Sequence, residues 1–295
     1  MFILRRHVGF MLAILAATGF ASKAIFAKLA YRYGVDAVTL VTMRLGLALP
    51  VLLLLRFCHR RREAPLSWHT RGWLLLLGLL GYYLSSLLDF LGLESVSASV
   101  ERMILCLYPT LTVLLSAWLT KSPITRHMVQ ALLLTYLGIA LVLAPDVLGG
   151  HADIWGILLI VGSTISYALY LTWSPAIIRA AGTMRFTELA LLVSAAAMLL
   201  HFLITRSPAT LMAQPPAVWG YAAAMTLLST LLPIYALSAA MAKIGASKTA
   251  IIATLGPILT IFMSAQLLAE SLTITQWLGA TMVILGVWLI AQRKA

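Results

Sequence analysis

The sequence predicts an all-α, polytopic membrane protein of ten transmembrane helices, built as two five-helix repeats over 1–146 and 147–295 that are inverted relative to one another. Three observations predict it. Of 295 residues, 62% are hydrophobic and only 10% charged, with a mean hydropathy of +0.99. Basic residues collect in alternate connections between apolar runs. Blocks of sequence recur at constant spacing. A hydrocarbon core of ~30 Å needs ~20 apolar residues per helix, so a chain of this length with short connections holds about ten helices and no soluble domain of useful size. Five crossings per half turn the second half upside down, the arrangement many secondary transporters use for alternating access.

The first apolar run, 8–30, follows Arg5 and Arg6 and contains Lys23 and Lys28. It is too long for the apolar region of a secretory signal and is read as the first helix. Further runs lie at 37–56, 72–91, 97–118, 125–144, 154–176, 186–204, 217–239, 247–268 and 273–291. Arg5 and Arg6, then Arg60, Arg61, Arg62 and Arg71, Lys121 and Arg126, Arg179 and Arg185, Lys243, and finally Arg293 and Lys294 fall on one side of such a bundle. The opposite connections hold Arg32 and Arg206 beside Asp36, Glu94, Asp146 and Asp153. Short basic loops are cytoplasmic, so both termini are expected there. The same pattern explains most of the net charge of +12 as topology and argues against a nucleic-acid partner.

The repeat is visible within the chain. Ser97-Ala98-Ser99 and Tyr108-Pro109-Thr110 through Ser116 parallel Gly245-Ala246-Ser247 and Gly256-Pro257-Ile258 through Ser264, at a constant offset of 148 residues. The register continues from Tyr136-Leu137-Gly138-Ile139 into Ile284-Leu285-Gly286-Val287. Pro109 and Pro257 each fall within a predicted helix, where the missing N–H frees a carbonyl one turn earlier, and both are candidate hinges.

With the paired Ala-Ser and Pro segments, Glu270 at the end of the ninth run, the Gly-containing last run of each half, and the stretch Ser99-Val100-Glu101-Arg102-Met103-Ile104-Leu105-Cys106-Leu107-Tyr108-Pro109-Thr110, the chain resembles the EamA-like branch of the drug/metabolite transporter superfamily. The resemblance covers nearly the whole chain. It implies a bacterial inner-membrane protein with ten helices in inverted repeats that moves small metabolites by alternating access. It specifies substrate poorly, since members handle amino acids, sugars, nucleotide sugars and drugs. One departure stands out: opposite Glu270 the first half reads Thr120-Lys121-Ser122 and carries no carboxylate.

Ionisable groups at membrane depth mark the candidate site, because each costs at least ~2.5 kcal/mol at a lipid-facing helix centre. Lys23 and Lys28, Arg44, Asp89, and Glu101 with Arg102 converge in the outer half of the first repeat. Two readings are open. The charges form a positive chamber that attracts an anionic group, with Lys23 and Arg102 on the substrate, or they pair as structural locks, Glu101 with Lys23 and Asp89 with Arg44. Arg44, Asp89 and Glu101 are therefore gating or ion-pair candidates. Lys248, with Glu188, is an inner counterpart by inverted symmetry.

Aromatic residues supply the second surface. Tyr82, Tyr83, Tyr108, Tyr167, Tyr170, Trp173 and Tyr235 lie mid-helix, where a hydroxyl or indole N–H wants a partner and the ring faces the bundle. Trp68, Trp73, Trp155, Trp219 and Trp277, near run ends, read as an interfacial belt. Cys58 and Cys106 have no partner at metal-ligand spacing, and no phosphate loop or nucleophile with its base appears, so neither an enzyme nor a cofactor is expected. Small-molecule solute and membrane lipid are the expected partners, with a monomer sufficient. The sequence reading is a secondary transporter exporting small metabolites, with amino acids, aromatic ones included, as the favoured class. A lipid-handling or membrane-enzyme accessory protein, or an importer of vitamins or sugars, is the alternative.

Overall fold

The computed structural model describes residues 2–60, 65–121, 126–149, 153–244, 249, 252 and 255–291, and the described residues are helical and turn with no strand. The first seven helices are α1 (Phe2–Tyr31), α2 (Ala37–Arg60), α3 (Trp68–Gly78), α4 (Ser85–Ser95), α5 (Ala98–Leu105), α6 (Tyr108–Thr120) and α7 (Arg126–Leu148). They are followed by α8 (Ile154–Ala181), α9 (Thr183–Thr205), the short α10 (Pro208–Met212), α11 (Pro216–Thr226), α12 (Leu232–Ile244), α13 (Gly256–Leu267) and α14 (Ile274–Ala291). Among the described residues, seven helical stretches are long and apolar enough to cross a membrane, and Val129–Pro145, Gly256–Leu267 and Ile274–Leu289 are shorter apolar helices. The repeat segment Gly245-Ala246-Ser247 and the candidate Lys248 lie outside the described residues.

Local chemistry sets the starts and stops. Asp36 caps α2, accepting from the Thr39 N–H at 3.1 Å and the Thr39 hydroxyl at 2.6 Å, and Glu94 accepts from the Ala37 N–H at 2.5 Å. Ser67 accepts from Thr70 N at the head of α3, and Ser97 from Val100 N at the head of α5. Asp153 caps α8 at Trp155 N, 3.0 Å. The Ser95 hydroxyl and these capping amides hold the Asp153 carboxyl below its ordinary range, so its contribution is present above that range and lost as acid protonates it. Gly182 separates α8 from α9 at φ +83°, a left-handed conformation that glycine adopts without a Cβ penalty.

The helix irregularities recur at the sequence offset. Leu79–Leu84 joins α3 to α4 as a π-helical turn, and Leu227–Leu231 joins α11 to α12 in the same way, 148 residues later. A π-turn leaves backbone groups out of register, and side-chain hydroxyls, from a neighbouring helix in the first turn and from the turn itself in the second, take up carbonyls there. Ser166 donates to Leu80 O at 2.8 Å, and Thr230 donates to Met225 O at 3.1 Å. The expected mid-helix kink at Pro109 is corrected. Helix α5 ends at Leu105 and a new helix opens at Tyr108, so Pro109 stands in a first turn, where its missing N–H costs nothing. Pro257 occupies the matching place in α13.

The most extensive helix pair among the described residues is α7 against α14. A Cβ on Gly138 would stand 2.6 Å from Gly279 O and 2.8 Å from Val283 N, one on Gly279 would meet Gly138 O, and one on Gly286 would stand 2.9 Å from Ala131 O. Residues rising along one helix meet residues falling along the other, so the pair is antiparallel, and the contact is reciprocal at the 148-residue offset. Small residues let the two backbones touch, the usual device where lipid offers no hydrophobic drive.

Helix α1 runs against α11, α12 and α13, while α4 packs on α8 and α2 on α9. The largest apolar cluster gathers Ile25, Leu40, Phe90, Leu93, Met198 and Phe202 around the far end of α1. That cluster forms the wall behind the buried charges.

Candidate functional site

Helix α1 delivers Lys23 into the space between α4 and α5. Its ammonium donates to Asp89 Oδ2 and to Glu101 Oε1, the latter at 3.1 Å. Asp89 is 3% exposed and Glu101 1%, and both carboxylates meet the one ammonium. The second oxygens, Asp89 Oδ1 and Glu101 Oε2, are buried without a hydrogen-bond partner. The expected Asp89–Arg44 pair is corrected in detail: Asp89 takes Lys23. Arg44 lies over the Phe90 ring at 4.8 Å, donates to Ser86 Oγ at 3.0 Å and leaves Nε without a partner. Phe90 stands between the cations, with Lys23 Nζ 5.8 Å from its centroid.

Arg102 follows Glu101 on α5 but turns the other way. Its guanidinium lies against Gly256 at the head of α13, where a Cβ would collide with it, and its Nε is buried without a partner. Tyr108 opens the next helix, α6, and Tyr167 lies on α8. Those rings begin a ladder. Tyr108 meets Tyr167 edge-on at 5.4 Å, Tyr167 stacks on Tyr170 at 5.5 Å, and Tyr170 stacks on Phe186 at 6.0 Å. Tyr82, placed by the π-turn, meets Tyr170 edge-on at 5.3 Å with the two hydroxyls 3.2 Å apart. Tyr108 is 38% exposed while Tyr170 is 5%, so the ladder runs from an exposed ring to a buried one. Gly256→Ala is expected to displace Arg102 and weaken solute uptake with little change in thermal stability. Uptake and melting of the purified variant, measured side by side, check this.

Glu270 ties the two halves together. Its carboxylate accepts from Ala98 N at 2.9 Å, Ser99 N at 3.1 Å and the Ser99 hydroxyl at 2.8 Å, and Ser99 also meets Ser264 Oγ at 2.7 Å. A carboxylate on free amides at a helix N-terminus satisfies donors that the helix cannot and complements its dipole. Hydrogen bonds to a charged group contribute about 1.5–3 kcal/mol each, and 1.4 kcal/mol is tenfold in an equilibrium. Glu270→Ala is therefore expected to raise opening at this end by about tenfold or more. The readout is labelling of Val96→Cys, in a background lacking Cys58 and Cys106, by a membrane-impermeant maleimide.

The remaining candidates separate from this centre. Tyr83, adjacent to Tyr82, points elsewhere and its hydroxyl meets His201 Nδ1 at 2.7 Å. Trp173 packs edge-on against Trp73 at 5.9 Å, while Trp68, Trp155, Trp219 and Trp277 of the expected interfacial belt are exposed. Tyr235 lines a small cavity with Glu188, Leu191 and Leu231, and Glu188 lies 3.9 Å from Arg56. Phe90, Ser86, Ser99 and Gly256 escaped the sequence reading as site residues. The repeated Ala-Ser and Gly-Pro positions were the available signal for the last two.

Among the described residues, no group of three or more His, Cys, Asp or Glu side chains could hold a metal. Cys106 is buried and free.

Residues 7–144 and 154–292 each match the EamA-like transporter family. An uncharacterized transporter of Bacillus subtilis, YcbK, is 30% identical over 285 residues, covering 92% of this chain and 88% of its own. A second from the same organism, YyaM, is 27% identical over 83% of this chain and 81% of its own. A solved crystal structure superposes with a TM-score of 0.66 over 98% of this chain and 99% of its own at 16% identity, a likeness of fold alone. This chain, a multi-pass membrane protein, belongs to the EamA-like transporter family of the drug/metabolite transporter superfamily.

Proposed function

We propose that this protein exports a small metabolite bearing a carboxylate and an apolar or aromatic portion, amino acids included, across the bacterial inner membrane by alternating access. The observation that carries the substrate class is Arg102. A half-buried arginine whose Nε is buried and unpartnered lies at the end of α5, just before the Tyr108 end of a tyrosine ladder, offering a planar donor for a carboxylate and ring faces for the rest of the solute. The three shorter apolar helices complete ten crossings in this reading, with repeats at 1–146 and 147–295 inverted and both termini cytoplasmic. The shared 148-residue offset of the π-turns and the antiparallel contact of α7 with α14 support that arrangement.

The test is counterflow uptake in proteoliposomes against a panel of amino acids, sugars, nucleosides and riboflavin. Saturable uptake of a carboxylate-bearing solute, lost in Arg102→Ala, is the expected result. Uptake of a neutral sugar indifferent to that change overturns the substrate class, and no uptake at all favours lipid handling. The helix starts at Tyr108 and Gly256 serve as the pivots. Replacing Pro109 and Pro257 together by Ala should slow uptake, and unchanged rates would remove the hinge role.

A further inference from the structure

We propose that Asp89 and Glu101 form the proton-carrying site of this transporter, binding one proton between them and loosening Lys23 when they do. The inference rests on the transport reading and names its coupling ion.

The two carboxylates are less fully satisfied than those of Glu270 and Asp36. A carboxylate can accept at about four lone-pair positions. Glu270 uses three donors, and Asp36 takes two from Thr39 beside Arg206 at 3.5 Å. Asp89 and Glu101, more deeply buried than either, share a single ammonium and keep Oδ1 and Oε2 without a partner. A buried pair built only for stability gains little over apolar packing, and a half-satisfied one gains less. A pair whose occupancy changes must leave an oxygen free.

The surrounding charges leave room for one proton. From α1, Lys23 holds both carboxylates, Lys28 sits further along toward Glu270, and the Tyr31 hydroxyl donates to Phe90 O. From α2, Arg44 is engaged with Ser86 and Phe90 and bonds neither carboxylate. On α5, Arg102 turns toward Gly256, and on α4, Glu94 is bound to Ala37 N. Among the described residues, Lys23 is therefore the cation that hydrogen-bonds both carboxylates. Transfer of a proton from hydronium to one free oxygen breaks one O–H bond and forms another, leaving water behind and turning one carboxylate into a neutral carboxyl. Lys23 then faces a single negative charge instead of two. Because Lys23 bridges α1 to α4 and α5, protonation slackens the contact between those helices, which is the mechanical link that coupling needs.

The experiment is a pH jump on proteoliposomes adsorbed to a solid-supported membrane, with no solute present, so the probe is the proton alone. The intact protein should give a transient charge displacement, lost in the Asp89→Asn, Glu101→Gln double variant and retained in Asp153→Asn, which keeps its helix cap. A transient that persists in the double variant, or none from the intact protein, overturns the proposal. If the double variant does not elute as a single folded species, infrared difference spectra of the intact protein decide. A carboxyl band that appears on acidification and is absent from Glu101→Gln supports the site, and its absence from the intact protein removes it. Solute uptake without a pH-jump transient would sink proton coupling alone. A transient without uptake of any panel solute would sink the solute reading alone.

Discussion

Lys23→Ala is expected to destabilise the fold by about 3–5 kcal/mol, the usual consequence of removing one partner from a buried ion pair. The effect belongs to what remains. Asp89 and Glu101 lose the ammonium that holds both, and α4 and α5 then present two adjacent buried anions to each other. Lys23 is 19% exposed in its side chain, so the loss is read as a sharp fall in melting temperature in detergent rather than as certain failure to fold. The discriminating arm is rescue. Adding Glu101→Gln and Asp89→Asn to Lys23→Ala should recover much of the lost stability, because neutral side chains need no counter-charge. A double-mutant cycle measures that coupling directly. If the triple variant is no more stable than Lys23→Ala, the cluster is not an energetic unit.

Gly138→Leu and Gly279→Leu should have the next largest effect, costing about 3 kcal/mol or more, at or above the upper end of ordinary overpacking. The colliding atoms are Gly279 O and Val283 N on one side and Gly138 O on the other, and backbone cannot rotate away as a side chain can. The expected result is a loss of folded, monodisperse protein on size exclusion. Gly46 and Gly72 provide the contrast, since a Cβ at either meets nothing within 4 Å. Gly46→Ala, in a helix interior, should instead stabilise by about 0.5–1 kcal/mol. If all three substitutions behave alike, close approach of α7 to α14 is not what holds the halves together.

Much of this architecture was legible in the chain because the lipid phase imposes a simple rule. Apolar runs must be helices of a set length, so composition and spacing locate α1, α2, α8 and α9 almost without reference to contacts. The 148-residue offset was legible for a similar reason: Ala-Ser and Gly-Pro positions are punctuation that packing at the repeat interface demands. Convergence of Lys23, Asp89 and Glu101 was expected from depth alone, since charge in the membrane interior must find charge.

Pairing was not legible. Depth brought Asp89, Glu101, Lys23 and Arg44 to one layer but could not say which faces which. The choice of Lys23 for both carboxylates depends on how α1 is rotated between α4 and α5, and Phe90 holds Arg44 by its ring face. The adjacent Tyr82 and Tyr83 divide between the ladder and His201 because neighbouring residues on a helix point about a quarter-turn or more apart. The sequence by itself determined the helical membrane class, the repeat spacing and the layer at which charge would gather, because those follow from solvation and period. Tertiary structure alone decided the partners of Lys23, the reach of Arg102 to Gly256 and the clasp of Glu270 on Ser99. Those depend on helix rotation and on contacts between residues distant in the chain, which no local pattern encodes.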